Sequence, residues 1–270
     1  MPELPEVQTV VTTLSPRLVG GTFRRVAHLR PDIVRPRGFD LTGAVTGRTV
    51  SQIARRGKRI VLKLDDGNAF YIHLGMTGRL MIVTPAAPIE PHTHLIADLG
   101  AAAQLRFRDP RRFGGIFWLG HEASPGDDRM GPEPLTMTPG QLAAKLSRTK
   151  RAVKNALMDQ NVVAGLGNIY VDESLFAAGI HPLKRADRLK ADEVTRLNKA
   201  IKQTLKRAIR HRGSTLRDYV DADGERGGFQ TLHHVYARAG EPCHSCDAPL
   251  KRIVLGGRST HFCPKCQRRR

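Results

Sequence analysis

The chain has 270 residues, with 44 Lys+Arg against 25 Asp+Glu and a formal net charge of +19. That length suits two modest domains rather than one small core, and a 40% hydrophobic content excludes a mainly disordered chain. No apolar run approaches the ~18 residues of a membrane span, and the opening MPELPEV carries Glu3 and Glu6 but no basic segment of the kind that starts a signal peptide. The expectation is a cytoplasmic protein with no membrane partner, and the excess positive charge points to a polyanion, most simply nucleic acid.

Helical spacing opens the chain. Val7, Val10, Val11, Leu14 and Leu18 share one helical face, which predicts a helix from Pro5, a residue suited to the first turn. Strand-like runs follow at 60–64, 69–74, 79–83, 94–99, 104–108 and 116–119, the first two separated by the turn signal Asp65-Asp66-Gly67-Asn68. Short strands with close turns predict an antiparallel sandwich. The character changes near residue 131, where Gly131-Pro132-Glu133-Pro134 reads as a linker and Thr138-Pro139-Gly140-Gln141 as a capping box.

Helical patterns then run to about residue 212, with Val194, Leu197, Ile201, Leu205 and Ile209 on the inner face of a long basic helix. An earlier helix from Arg151 ends near Gln160, and Asn168 can cap the next one. The segment 161–168 is then either an anion-binding helix terminus or an ordinary helix–helix turn. The polar, Gly-rich stretch 213–228 has little to bury and reads as a mobile loop.

All four cysteines lie near the end of the chain: Cys243 and Cys246, sixteen intervening residues, then Cys263 and Cys266. Two Cys-x-x-Cys knuckles at this spacing predict one structural Zn2+ with four thiolate ligands; two disulfides are the alternative, which intracellular proteins rarely keep. His244 and His261 stand close enough to compete, but the four-thiolate set is complete without them. Between the knuckles, residues 250–255 and 259–262 flank Gly256-Gly257 as a hairpin, with Arg258 directly after the turn. Seven basic residues and no acidic ones lie within 251–270, so Arg258 is either a phosphate probe or one more solvated charge. The resulting expectation is an α+β chain: an antiparallel β-sandwich domain with flanking helices over 1–131, a helical domain over 132–235 and a zinc hairpin over 236–270.

Met1-Pro2-Glu3 carries the most chemistry. A small residue after Met permits removal of the initiator, which leaves the secondary amine of Pro2 at the terminus. An α-amine titrates near pH 8 and a lysine near 10.4, so the terminal amine is the better nucleophile at neutral pH. Its attack on a sugar C1′ gives an iminium that cannot lose a proton to become a neutral imine, a permanent electron sink for eliminating a 3′ phosphate. Glu3 can protonate the ring oxygen and open the sugar. The bland alternative is an ordinary flexible end.

The opening MPELPEV, HLGMTGRL at 73–80, DPRRFG at 109–114, AGLGNIYVDE at 164–173 and the four-cysteine module together resemble the formamidopyrimidine-DNA glycosylase family. The resemblance spans the chain in order. It implies a monomeric bacterial base-excision repair enzyme, nucleoid-associated, with a helix–two-turn–helix element in the helical domain. Such an enzyme removes 8-oxoguanine and formamidopyrimidines from double-stranded DNA and cuts the abasic strand by β,δ-elimination.

Carried over by matching motif, Pro2 is the Schiff-base nucleophile, Glu3 the general acid/base, Lys58 a phosphate contact assisting β-elimination, and Arg258 the hairpin arginine of δ-elimination. Asn168 holds phosphate near the lesion. Met76, Arg111 and Phe113 fill the gap left by the everted nucleotide, Phe113 as a wedge and Arg111 bonded to the orphaned base. His73, His92, Lys150, Arg151, Lys154 and Tyr236 are further DNA-facing positions. Each has a bland competitor: Met76 and Phe113 as core, Lys58 as a turn charge, Asn168 as a cap, Arg111 and Arg112 as partners of Asp109.

One departure is Gln8, where the family often has Glu; its place on the first helix predicts little consequence. Two other readings remain. One is the endonuclease VIII-like sister group acting on oxidised pyrimidines, which Leu4 and the full 109–114 segment disfavour. The other is a non-catalytic zinc-containing DNA-binding protein.

Overall fold

The computed structural model describes residues 1–28, 30–100, 102–121 and 129–269. The chain divides into two compact units, the first holding the described residues up to 121 together with 211–228, the second holding 129–210 and 229–269.

In the first unit, α1 (Leu4–Leu18) begins with Pro5 in its first turn and a capping box between Glu3 and Glu6. Its buried face is Val7, Val10, Val11, Leu14 and Leu18, as the spacing predicts. After β1 (Arg25–His28), β2 (Val34–Arg35) and α2 (Leu41–Val45) come β3 (Val50–Arg56), β4 (Arg59–Leu64), β5 (Ala69–His73), β6 (Arg79–Val83), β7 (Thr93–Gly100), β8 (Ala103–Arg108) and β9 (Gly115–Gly120). They form a four-stranded sheet, β1-β7-β8-β6, and a five-stranded sheet, β2-β9-β5-β4-β3. Every pairing is antiparallel except the two-residue β2–β9 contact.

Both sheets and α1 contribute to one apolar core that includes Leu14, Phe23, Ile60, Leu62, Ile72, Phe107 and Ile116. The β4–β5 turn is the expected hairpin: Gly67 sits at φ +83° and the Asn68 N–H donates to Asp66 Oδ1 at 3.0 Å. Three strands escape periodicity. In β3 a bulge between Val50 and Gln52 breaks the alternation, β2 is two residues long, and β1 is only four.

Residues 211–228 are not a free loop. The Glu6 carboxylate accepts from the Ser214 N–H at 2.7 Å, and the Tyr219 hydroxyl donates to the Glu6 carbonyl at 3.2 Å. The buried Asp221 carboxylate accepts from the N–H groups of Asp223 and Glu225 at 2.9 and 3.0 Å. The mobile-loop expectation fails because this stretch meets the buried polar groups of α1, which a local reading of composition misses.

In the second unit, α3 (Pro139–Leu146), α4 (Val153–Met158), α5 (Asn168–Ala177) and α6 (Ala191–Arg210) precede the hairpin β10 (Lys251–Leu255)–β11 (Arg258–Phe262). The Thr138/Gln141 capping box is present in both directions. Gly131, expected in a linker, is buried: a Cβ there would lie 2.6 Å from the Val162 carbonyl oxygen. Helix α6 buries Val194, Leu197, Ile201 and Leu205 and exposes Arg196, Lys199, Lys206 and Arg210. Among the described residues no helix is long and apolar enough to cross a membrane.

Candidate active site and nucleic-acid interface

The amino end of the first unit converges on charge. Pro2, Glu3 and Glu6 are buried, and the Glu3 N–H donates to Glu6 Oε2 at 2.8 Å. Lys58 lies in the β3–β4 turn beside Gly57, which takes φ +56°, and its side chain is largely buried. The α-amine of Met1 lies below its ordinary value. Burial is the main cause; Glu3 and Glu6 oppose it, while Lys58 and Arg111 add to it. Met1 itself is exposed, but partial burial of its amine, with Lys58 and Arg111 acting against Glu3 and Glu6, favours the neutral, nucleophilic amine. This is not a solvated flexible end.

The remaining first-unit candidates stand on three segments. His73 at the end of β5 is half-buried, with Nδ1 3.3 Å from the Lys58 carbonyl, and burial lowers its pKa. Met76 and Phe113 are 37% and 61% exposed, too open for core residues. Arg111 and His92 are exposed, and His92 takes φ +67°. Arg112 pairs with Asp32 at 3.3 Å, not with Asp109. Gln8 accepts from Arg55 Nε at 3.0 Å.

In the second unit, Gly167 occupies the N-cap of α5 and Asn168 the first helical position, so Asn168 is not a cap. Its Nδ2 instead reaches Ser259 Oγ at 3.3 Å and Tyr236 Oη at 3.5 Å. Tyr236 is set by Glu173, whose buried carboxylate accepts from the N–H groups of His234, Val235 and Tyr236 at 2.9, 2.9 and 2.8 Å. Glu173 escaped the sequence reading, since only the fold aims it at that turn. Lys150 and Arg151 are exposed, the latter paired with Asp159 at 2.8 Å.

Lys154 differs from expectation. It is fully buried, 2.7 Å from Asp172 Oδ1, and donates to the Ser259 carbonyl at 2.7 Å, so it does not face a nucleic acid. Arg258 is exposed directly after Gly256 and Gly257, which take φ +57° and +72° and allow the tight reversal.

The four cysteine sulfurs lie within 4.8 Å of one another. The Cys243–Cys266, Cys246–Cys263 and Cys246–Cys266 separations are 3.9, 3.4 and 3.5 Å, far beyond a disulfide. Tetrahedral Zn–S bonds of about 2.3 Å place sulfurs about 3.8 Å apart. The four residues therefore fit one structural Zn2+ with no open position. His261 does not compete, because its backbone N–H donates to Asp172 Oδ2 at 2.8 Å and its Nδ1 lies 3.3 Å from the same oxygen. His244 Nδ1 lies 3.2 Å from an Arg238 nitrogen.

A sandwich with an amine-centred terminus, and a helical unit with a thiolate hairpin, define a class of DNA-processing glycosylase. Family models match the chain along its length: the formamidopyrimidine-DNA glycosylase N-terminal domain over 1–116, the formamidopyrimidine-DNA glycosylase H2TH domain over 130–220, and the zinc finger found in FPG and IleRS over 240–269. The formamidopyrimidine-DNA glycosylase of Geobacillus kaustophilus is 44% identical, covering 99% of this chain and 100% of its own. That of Shewanella oneidensis is 42% identical over 100% of both chains.

Among solved structures, Lactococcus lactis Fpg bound to N7-benzyl-Fapy-dG DNA superposes with a TM-score of 0.92 at 36% identity, covering 99% of this chain and 100% of that one. MutM from Thermus thermophilus gives 0.88 at 40%, covering 98% of each. The chain belongs to the formamidopyrimidine-DNA glycosylase family.

Proposed function

We propose that the chain removes oxidised purines, 8-oxoguanine and formamidopyrimidines, from duplex DNA and then cuts the abasic strand, acting as a bifunctional glycosylase and lyase in base-excision repair. The observation that carries this reading is the amino end, where Pro2, Glu3 and Glu6 are buried and the terminal amine is held below its ordinary pKa with Lys58 contributing. Relatives support the substrate class: Lactococcus lactis Fpg has been solved with N7-benzyl-Fapy-dG DNA and with abasic-site DNA.

The base must leave the stack, since its glycosidic bond is out of reach within the duplex. The Pro2 nitrogen attacks C1′ and the glycosidic bond to the base breaks, its electron pair leaving with the base, which takes up the proton that the Pro2 nitrogen gives up. Glu3 protonates the ring oxygen, the sugar opens, and a C1′ iminium remains. Loss of a C2′ proton then sends electrons to expel the 3′ phosphate; a second elimination expels the 5′ phosphate. Lys58 stabilises phosphate in the first elimination and Arg258 in the second, while Asn168, Lys150, Arg151 and Tyr236 bind the backbone.

Met76, Arg111 and Phe113 fill the vacated stack, and His73 and His92 lie along the strand. The zinc is structural and supplies no chemistry; Cys243, Cys246, Cys263 and Cys266 hold the hairpin that carries Arg258. We assign the domains to 1–131, 132–235 and 236–270, the first catalytic and the others for DNA binding. The site of action is the bacterial cytoplasm at the nucleoid, as a monomer.

Borohydride trapping on an 8-oxoguanine duplex tests the reading. A covalent enzyme–DNA adduct is expected, and it should be lost in Pro2→Gly. No adduct with intact protein, or trapping unaffected by Pro2→Gly, would sink the Pro2 mechanism; tight binding without strand cleavage would leave a non-catalytic zinc protein. A second reading, preference for oxidised pyrimidines, has one observation behind it: Lactococcus lactis Fpg has also been solved with oxidised-pyrimidine DNA. Parallel cleavage of 8-oxoguanine and thymine-glycol duplexes ranks the two.

A further inference from the structure

Asp109 is wholly buried in the first unit, and both of its carboxylate oxygens hold loops. Oδ1 accepts from Thr77 Oγ1 at 2.6 Å, and Oδ2 accepts from the Gly114 N–H at 2.7 Å. Its backbone N–H donates to the His92 carbonyl at 3.0 Å, and its own carbonyl accepts from the Arg112 N–H at 3.2 Å and lies 2.9 Å from His94 Nε2. The Thr77 hydroxyl oxygen also accepts from the Arg111 N–H at 3.3 Å. Three separate segments thus meet on one residue, and each carries an exposed side chain immediately beside the contact: Met76, His92, and Arg111 with Phe113.

The backbones there are in direct contact. A Cβ on Gly75 would lie 2.5 Å from the Gly114 nitrogen, and one on Gly114 would lie 2.5 Å from the His73 carbonyl oxygen. Arg112 and His92 take φ +56° and +67°, conformations that L residues adopt only when their surroundings hold them. Phe113 is 61% exposed, so its direction depends chiefly on the backbone beneath it.

We infer that Asp109, acting through Thr77, is a positioning residue that locks the loop of Met76 and the loop of Arg111 and Phe113 into a single register, so that the gap-filling side chains enter the stack together. The inference rests on the gap-filling role proposed above for those three residues. Burying a carboxylate is unfavourable unless charge-assisted hydrogen bonds offset it. Here the hydrogen bonds to both oxygens come from the two loops themselves, so the buried group is satisfied only while both are in place.

Thr77→Val removes the hydroxyl and keeps the shape. On a duplex with 8-oxoguanine opposite C, its single-turnover base excision should fall about tenfold, the effect of losing one charge-assisted hydrogen bond. Trapping on a preformed abasic site in single-stranded DNA, which has no gap to fill, should stay within about twofold by the same reasoning. Thr77→Ser should restore the duplex rate, and Asp109→Asn should show the same split more strongly.

Phe113→Ala serves as the reference. If it is impaired on duplex while Thr77→Val matches wild type, the positioning inference is overturned and the gap-filling reading stands. If Phe113→Ala itself matches wild type, the gap-filling reading fails and the inference falls with it. Equal loss of Thr77→Val on both substrates would show a general structural role and also overturn the inference.

Discussion

Lys154 Nζ lies 2.7 Å from Asp172 Oδ1, with both side chains completely buried. The same ammonium donates to the carbonyl of Ser259, the residue after Arg258, and Asp172 Oδ2 accepts from the His261 N–H. One ion pair therefore ties α4 and α5 to β11, the strand that begins with Arg258. Removing one member strands a buried charge, which typically costs about 3–5 kcal/mol. Lys154→Met should lower stability to urea by about that amount. The double variant Lys154→Met/Asp172→Leu should recover most of it. A double variant no more stable than the single one would show that the pair is not the source.

Burial, with Lys58 and Arg111, holds the terminal amine below its ordinary value, against Glu3 and Glu6. The proposed nucleophile, the Pro2 nitrogen exposed by removal of Met1, belongs to the next residue, which is buried beside Glu3. A lower pKa means more neutral amine at a given pH, so the trapping rate on abasic DNA should rise with pH and level off below pH 8. Because the Lys58 charge lowers the amine's pKa, Lys58→Met should move the rising limb to higher pH. A pH–rate profile of both proteins checks this; a limb that stays put or moves down contradicts the assignment.

Structural zinc supplies folding free energy to the segment that binds it. A metallochromic indicator should find one zinc per chain released on thiol modification. Chelation should then abolish the β,δ product on duplex DNA, because Arg258 rides on the hairpin. Adduct formation on a preformed abasic site, which needs only the first-unit amine, should persist. Loss of both together would mean that the metal supports more than the hairpin.

The net charge of +19 predicts phosphate binding that does not read sequence. Log affinity for undamaged duplex should fall linearly with log salt, at about 0.9 per phosphate neutralised. Lys150→Ala should reduce that slope by about one contact while leaving lesion preference unchanged. A flat salt plot would contradict the reading.

Lys154 and Phe113 mark how far residue order carries. Arg151-Ala152-Val153-Lys154 reads as a basic surface run, yet Lys154 is buried because Asp172, eighteen positions on, is brought against it by the α4–α5 packing. Phe113 beside Arg111 and Arg112 is an awkward core residue in any fold, so its exposure was readable from its neighbours. Glu173 gave no local signal, since its partners are backbone groups of a distant turn, and the Thr77 hydroxyl that Asp109 accepts from lies 32 positions away.

Residue order alone carried the features with local or periodic causes: α1, eight of the strands, the α3 capping box and the four-thiolate set. Each depends on spacing within a few residues or on the chemistry of one group. Tertiary packing decided the rest. It placed the terminal amine among Glu3, Glu6, Lys58 and Arg111, pinned 211–228 to Glu6, and turned Asp109 and the Lys154–Asp172 pair into internal anchors. A buried charge is defined by what surrounds it, and those surroundings come from chain segments far apart in sequence.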